Sequence, residues 1–146
     1  MKESPVILIV EDNPGDVRLI QEALKTSSID PTLYFARDGV EATDFLETRK
    51  RTPSTGFPHL IVLDLNLPKK SGFEVLEYVK RDEMLKRIPV IVLSSSQNPD
   101  DVAKAYDLHA NCYLTKPTNF DSFIDVVKAL EYFWIRTAHL PPGLSS

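Results

Sequence analysis

Acidic side chains follow two apolar runs of this sequence. Glu11 and Asp12 come after residues 5–10, and Asp64 comes after residues 60–63. Uninterrupted apolar runs of this length are typical of strands buried on both faces of a parallel sheet. Ligands of open α/β sheets bind at the carboxyl ends of such strands. We therefore expect these carboxylates to meet at one edge of a sheet.

The residue types at this edge predict phosphoryl chemistry. Close carboxylates repel one another unless a cation lies among them, and oxygen-only ligands suit a hard ion such as Mg²⁺. Ser94 and Lys116 end two later apolar runs and could bring a hydroxyl and an ammonium to the same place. A metal ion and a lysine can neutralise phosphoryl oxygens, and a carboxylate that acts as nucleophile forms an aspartyl phosphate.

Five apolar runs alternate with five amphipathic patterns along the chain. The predicted strands are residues 5–10, 32–36, 60–63, 88–93 and 112–115, and the predicted helices are about 14–27, 40–51, 72–81, 98–108 and 119–136. This alternation predicts an α/β fold with a parallel sheet, right-handed crossovers and helices on both faces. The doubly wound order 2-1-3-4-5 places the first and third strands side by side, which brings the acids of both strands together.

Composition excludes several other classes of protein. The 146 residues suit a single domain, and a formal net charge of −4 argues against a nucleic-acid partner. No apolar run approaches the roughly 20 residues of a membrane span. Cys112 is the single cysteine, so no internal disulfide can form, and we interpret it as a small buried side chain in a reducing cytoplasm.

Taken in order, these motifs resemble the receiver domain of two-component response regulators, which has a flavodoxin-like fold. The resemblance covers residues 5–130. The matching segments are Val10-Glu11-Asp12, Asp64-Leu65-Asn66-Leu67-Pro68, Ser71-Gly72, Ser94 and Lys116-Pro117.

This resemblance implies a role for each site residue. Asp64 is the phosphoacceptor. Asp12 is a direct Mg²⁺ ligand, Glu11 assists directly or through water, and the backbone carbonyl of Asn66 is a further ligand. The family is not a class of enzymes in the usual sense, because a receiver catalyses only its own phosphorylation and dephosphorylation.

The resemblance also implies a conformational switch. Lys116 pairs with a phosphoryl oxygen, and the Lys116–Pro117 peptide is often cis in the family. Ser94 is the hydroxyl that moves toward the phosphoryl group, and Tyr113 is the aromatic residue that rotates in behind it. The added phosphate charge would drive this movement.

A narrower resemblance is to the small stand-alone response regulators that partner bacterial phytochromes, which are red-light sensing histidine kinases. It rests on residues 63–72 and 107–116 and on Phe133-Trp134. A sensor histidine kinase, of phytochrome type, is the partner that this resemblance implies. A receiver that serves another kinase is the alternative.

The last predicted helix raises a question of assembly. Residues 132–135 are four consecutive large apolar or aromatic residues, and a helix cannot turn all of them toward one core. We expect a homodimer through the fourth helix, the fifth strand and the last helix, with Phe133 and Trp134 at the interface. The alternative is that these side chains fold back onto their own domain. The domain is expected to span residues 1–136, and residues 137–146 form a C-terminal tail.

Two other functions use similar sheets. A Mg²⁺-dependent phosphatase with an aspartyl nucleophile would resemble a motif with a second aspartate two residues further on, where this chain has Asn66. A flavodoxin-like cofactor binder needs a phosphate loop after the first strand, and the acids at Glu11 and Asp12 would repel a phosphate there.

Some local expectations concern single residues. Many receivers have Ala-Gly where this chain has Leu108-His109, so the fourth helix must end differently, and Asn111 is a candidate for a left-handed cap. Phe120 is expected in the core. The three histidines, His59, His109 and His139, lack metal-site spacing and are expected to be structural or surface residues.

Overall fold

The sheet of this protein has the predicted strand order. The computed structural model describes residues 4–142, and within them five parallel strands lie in the order β2-β1-β3-β4-β5. The strands are β1 (Val6–Val10), β2 (Thr32–Ala36), β3 (Leu60–Leu63), β4 (Val90–Ser94) and β5 (Cys112–Thr115). Ser94 is thus the last residue of β4 rather than the residue after it.

Helices cover both faces of the sheet, as predicted. They are α1 (Pro14–Lys25), α2 (Gly39–Arg51), α3 (Gly72–Arg81), α4 (Pro99–Asp107) and α5 (Phe120–Leu130). Leu46 of α2, Leu76 of α3 and Ala105 of α4 pack in one core cluster, while Ile20 of α1 and Phe123 of α5 pack in another. No helix among residues 4–142 has the length and apolar character that crossing a membrane requires.

The two clusters share the central strand β3. All four of its side chains are buried, and they alternate between the faces. Ile61 and Leu63 belong to the cluster with α2, α3 and α4, and Leu60 and Val62 belong to the cluster with α1 and α5. Because both faces of β3 are fixed by packing, the position of the residue that follows it, Asp64, is fixed as well.

Each α-helix starts at a residue whose side chain caps it. The cap accepts a hydrogen bond from a backbone N–H of the first turn, which satisfies a donor that the helix itself cannot. The five caps are Asn13, Asp38, Ser71, Asn98 and Asn119.

The end of the last helix differs from the prediction. The helix extends through the predicted residue 136, but its α-helical part ends at Leu130 and a π-helix (Glu131–Thr137) follows. Residues 143–146 of the predicted tail lie outside the described residues.

Two local expectations are wrong. Phe120 is 64% exposed, because it is the first residue of α5 and the contacts of that helix with the core begin at Phe123. The left-handed position near the end of α4 is His109, with φ 73°, and not Asn111. Asn111 instead uses its side-chain oxygen to accept a hydrogen bond from the Val90 amide, 2.9 Å away.

Candidate functional site

The pairing of β1 with β3 sets the geometry of the site. Val10 is the register partner of Leu63, so Glu11 and Asp64 directly follow paired residues. The Asp64 amide donates a hydrogen bond to the Val10 carbonyl at 3.0 Å. The two acids therefore leave neighbouring strands at the same level, as the sequence predicted.

The three predicted carboxylates converge. One oxygen each from Glu11, Asp12 and Asp64 lies within 4.8 Å of the others. Glu11 and Asp64 are buried, whereas Asp12 is exposed. Asn66 is exposed beside them, and its amide donates to Oδ1 of Asp64 at 3.3 Å. No histidine belongs to this cluster, which is the one such group of metal-binding side chains among the described residues.

Lys116 enters the cluster from the end of β5. Its Nζ lies 2.9 Å from Oδ2 of Asp64, 2.5 Å from Oε1 of Glu11 and 2.8 Å from Oδ2 of Asp16. An ammonium has three N–H donors, so each donor has one carboxylate partner. The side chain of Lys116 is only 8% exposed.

Asp16 is the residue that the sequence analysis missed. It lies in the first turn of α1, and the Asn13 side chain that caps this helix accepts a hydrogen bond from the Asp16 amide at 3.1 Å. The signal was available in the sequence, since α1 begins directly after the acids that end β1. An acid in the first turn of such a helix faces the same edge of the sheet as those acids.

The charges at this site are only partly balanced. Burial raises the pKa of Glu11 to about 7, where the hydrogen bond from Lys116 opposes the shift and repulsion from Asp64 adds to it. Burial alone would lower the pKa of Lys116, but its hydrogen bonds to Asp16, Glu11 and Asp64 outweigh burial and raise it above the ordinary value. The acids around Lys116 thus carry more negative charge than this one lysine can neutralise.

The donor set fits a hard divalent cation. The converging ligands are all carboxylate oxygens, and their charge is in excess of that of Lys116. They line an open pocket of about 500 Å³, whose walls also include Asn13, Pro14, Asn66 and Ser95. A metal ion with a bound phosphoryl group could be reached from solvent through this pocket.

The predicted switch residues, Ser94 and Tyr113, do not line the pocket. Ser94 is fully buried, and its Oγ accepts a weak hydrogen bond from the Ser96 amide at 3.4 Å. Ser95, rather than Ser94, lines the pocket. Tyr113 is half-buried, and its hydroxyl donates to the Ser96 carbonyl at 2.8 Å.

The backbone around the site is tightly packed. The Lys116 amide donates to the Ser94 carbonyl at 2.8 Å, which ties the end of β5 to the end of β4. A Cβ atom on Gly72 would lie 2.2 Å from the Asp64 carbonyl oxygen, so only glycine allows the loop after Asp64 to fold back so closely. The Lys116–Pro117 peptide is trans in this structure, unlike the cis form that the resemblance suggested.

The family model of the response regulator receiver domain matches residues 7–128. The chain belongs to this family. The match covers four strands in full, β1 except for its first residue, and the acids, the serine and the lysine described above. The phosphatase and the flavodoxin-like cofactor binder are not favoured.

Three relatives of this receiver domain are response regulators, and two of them are named as response regulators of a phytochrome or bacteriophytochrome. The response regulator Rcp1 of Synechocystis sp. is 52% identical over 136 residues, which cover 93% of this chain and 92% of Rcp1. The structure of a phosphorylated cyanobacterial phytochrome response regulator, RcpA, has a TM-score of 0.90 at 50% identity and covers 95% of this chain and 99% of RcpA. The bacteriophytochrome response regulator AtBRR has a TM-score of 0.70 at 38% identity, with coverage of 97% and 100%.

The structure of Rcp1 with bound Mn²⁺ bears on the acidic cluster. It has a TM-score of 0.89 to this chain at 51% identity, and it covers 94% of this chain and 99% of Rcp1. The family match and the converging carboxylates of Glu11, Asp12 and Asp64 therefore both indicate a divalent cation as the ligand of this site.

Proposed function

We propose that this receiver domain accepts a phosphoryl group on Asp64 from a sensor histidine kinase, in a step that requires Mg²⁺. The observation that carries the proposal is the position of Asp64. Its carboxylate is buried at the end of the central strand, 2.9 Å from Lys116 and next to the acids Glu11 and Asp12. This is the arrangement that phosphoryl transfer to a carboxylate needs.

The chemistry of transfer assigns a task to each group. An oxygen of Asp64 forms a bond to phosphorus while the bond from phosphorus to the kinase histidine breaks, and the imidazole nitrogen keeps the electron pair and takes up a proton. Lys116 neutralises charge on the phosphoryl oxygens. Glu11, Asp12, Asp64 and the carbonyl of Asn66 would hold Mg²⁺, which supplies further neutralisation when it is bound. Water later attacks the phosphorus, the bond from phosphorus to the Asp64 oxygen breaks, and inorganic phosphate leaves with the free Asp64 carboxylate restored.

The signal is proposed to leave the site through Ser94 and Tyr113. The Ser94 hydroxyl would move toward a phosphoryl oxygen, and the Tyr113 ring would rotate into the space that this movement opens. Both residues contact Ser96, which gives a direct physical connection between them. The changed surface of α4 and β5 would then be recognised by a partner.

The partner proposed for this receiver is a histidine kinase of phytochrome type. Identities of 50% and 38% to the phytochrome response regulators RcpA and AtBRR support it, and a different sensor kinase is the alternative. We further propose residues 1–136 as the receiver domain, residues 137–146 as its tail, the cytoplasm as its location, and a homodimer through α4, β5 and the last helix.

A labelling experiment tests the phosphoacceptor. The protein is incubated with acetyl phosphate and Mg²⁺, and intact mass is measured for the addition of one phosphoryl group that hydroxylamine removes. We expect the addition in the wild type and its loss in Asp64→Asn and in the absence of Mg²⁺. The matched control is Asp44→Asn, an exposed acid on α2. Labelling that persists in Asp64→Asn would refute the proposal.

A second experiment tests the partner. Purified histidine kinases, a phytochrome among them, are labelled with radioactive ATP and mixed briefly with the receiver. Rapid transfer from the phytochrome and slow transfer from the other kinases is the expected result. Equal rates from all kinases would count against the phytochrome pairing without affecting the role of Asp64.

A further inference from the structure

Lys116 has two kinds of carboxylate partner. Glu11 and Asp64 belong to the group of acids that converges on one point within 4.8 Å, and Asp16 does not belong to this group. All three partners nevertheless contact the same ammonium. Among these three partners, Asp16 is therefore the acid that can hold Lys116 without being a member of the cation site.

Contacts at the start of α1 hold Asp16 in position. It is held in the first turn of α1, with its amide bonded to the cap residue Asn13. Its side chain is 23% exposed, so its contact with Lys116 is partly shielded from water. A negative charge is also favourable near the N-terminus of a helix, so the position of Asp16 in the first turn suits an acid.

A divalent cation and Lys116 compete for the same carboxylates. Two positive charges that share Glu11 and Asp64 repel each other, and at short distance in a partly buried site the repulsion is substantial. The buried ammonium cannot simply be left without partners, because an unpaired buried charge is costly. Cation binding is thus easiest if Lys116 has another carboxylate to pair with.

We propose that Asp16 is a positioning residue that holds Lys116 at the side of the pocket, so that a divalent cation can bind Glu11, Asp12 and Asp64. This role rests on the proposed function. Asp16 would set the metal affinity of that site without being a ligand of the metal. Without the Asp16 charge, Lys116 pairs only with Glu11 and Asp64 and stays among the metal ligands.

A simpler role for Asp16 would be to stabilise α1. Glu74 provides the matched comparison, because it occupies the same position in the first turn of α3, where the cap Ser71 accepts a hydrogen bond from the Glu74 amide. Glu74 is exposed and does not line the pocket. Both Asp16→Asn and Glu74→Gln should lower helix stability slightly, but only Asp16→Asn should change cation binding.

Cation binding is measured directly by electron paramagnetic resonance of free Mn²⁺ in titrations of the purified protein. We expect Asp16→Asn to raise the dissociation constant about three- to tenfold, the range for loss of one ordinary hydrogen bond. Glu74→Gln should leave the constant unchanged. Circular dichroism at the titration temperature verifies that each variant is folded.

The Lys116→Met background separates an effect through the lysine from a direct effect on the cation. There, Asp16→Asn should change the dissociation constant by clearly less than in the wild type, since no ammonium remains to be held. An equal or larger change would overturn the proposal, because Asp16 would then act on the cation itself. Failure of the wild type to bind Mn²⁺ would overturn the metal site as well, whereas normal binding with no effect of Asp16→Asn overturns only the role of Asp16.

Discussion

The hydroxyl of Tyr113 donates a hydrogen bond to the backbone carbonyl of Ser96, 2.8 Å away. The Ser96 amide in turn donates to Oγ of Ser94 at 3.4 Å. One residue of the loop after β4 therefore contacts both the aromatic ring on β5 and the buried hydroxyl on β4. An inward movement of Ser94 would displace the carbonyl that holds Tyr113 in its present position.

Tyr113→Phe tests how firmly this contact holds the ring. The variant keeps the ring and removes the hydroxyl, so we expect the free energy of unfolding to fall by about 0.5–1.5 kcal/mol. Urea denaturation followed by circular dichroism measures the change. Tyr132→Phe is the control, since Tyr132 is 61% exposed and its change should stay within about 0.5 kcal/mol. Equal values for both variants would show that the bond to Ser96 does not stabilise the unphosphorylated state.

Gly39→Ala tests the contact between the loop after β3 and the start of α2. A Cβ atom at this position would lie 2.0 Å from the backbone carbonyl oxygen of Lys70, and a backbone atom cannot move aside as a flexible side chain can. The preceding residue, Lys69, already has an unfavourable left-handed backbone with φ 67°. Its Nζ also lies 3.5 Å from Oδ2 of Asp38, next to Gly39. We expect a loss of about 1–3 kcal/mol in the free energy of unfolding, measured in urea.

Gly15→Ala is the control for this substitution. A Cβ atom there meets no backbone atom outside its own helix and lies 3.2 Å from the side-chain oxygen of Asn13, which needs to shift by only a few tenths of an ångström, and alanine is the better helix former. Its free energy of unfolding should be close to that of the wild type or higher. If Gly39→Ala were as stable as Gly15→Ala, the close approach of Lys70 would not constrain the loop.

The sequence predicted several elements to the residue. Residues 32–36, 72–81 and 112–115 were predicted as two strands and a helix, and the structure has the same bounds. Local chemistry explains this success, because the cap Ser71 starts α3 and Arg37-Asp38-Gly39 ends β2. The meeting of Glu11 with Asp64 followed from the parallel strand order alone.

The errors concern features that depend on contacts between distant segments. The start of α1 directly after the acids of β1 indicates which edge of the sheet Asp16 faces, but the sequence does not show that its partner is Lys116, 100 positions away. The same holds for the π-helix, since the apolar pattern of residues 131–137 indicates a helix but not the hydrogen-bond partner of each amide. Phe120 is exposed because the core contacts of α5 begin only at Phe123, and the periodicity of one helix does not show at which turn such contacts begin.

Glu131→Ala tests what holds the π-helix against the body of the protein. Glu131 is 7% exposed, and its Oε1 accepts a hydrogen bond from the Ser27 hydroxyl at 2.8 Å. Removal of a buried charged acceptor should cost about 1–3 kcal/mol of unfolding free energy. Trp134, the single tryptophan, lies three residues further on, so its fluorescence reports unfolding and any local change together.

Ser27→Ala completes this test. If the two side chains stabilise the protein through their mutual hydrogen bond, the double variant should lose less free energy than the sum of the single variants. Strict additivity would mean that Glu131 acts through another contact, such as Arg136, whose Nε lies 3.9 Å from Oε1 of Glu131.

Phe133→Ser tests the proposed homodimer. Phe133 is 53% exposed and its ring meets that of Trp134 edge-on, with 5.3 Å between centroids, so it presents an apolar surface next to a second aromatic residue. Trp134 is half-buried and packs against the core cluster of α1 and α5, which makes Trp134→Ala a less specific test. We expect light scattering to give the mass of two chains for the wild type and of one chain for Phe133→Ser.

The control for the dimer is Met84→Ser. Met84 is 37% exposed and belongs to the segment between α3 and β4, not to α4, β5 or the last helix. The Met84→Ser substitution also removes an apolar side chain from the surface, but outside the proposed interface. The measured mass should therefore stay at two chains. A general loss of surface hydrophobicity would affect both variants alike, whereas a specific interface distinguishes them. A wild-type protein that stays monomeric at high concentration would refute the homodimer and leave the exposed aromatic residues to another partner.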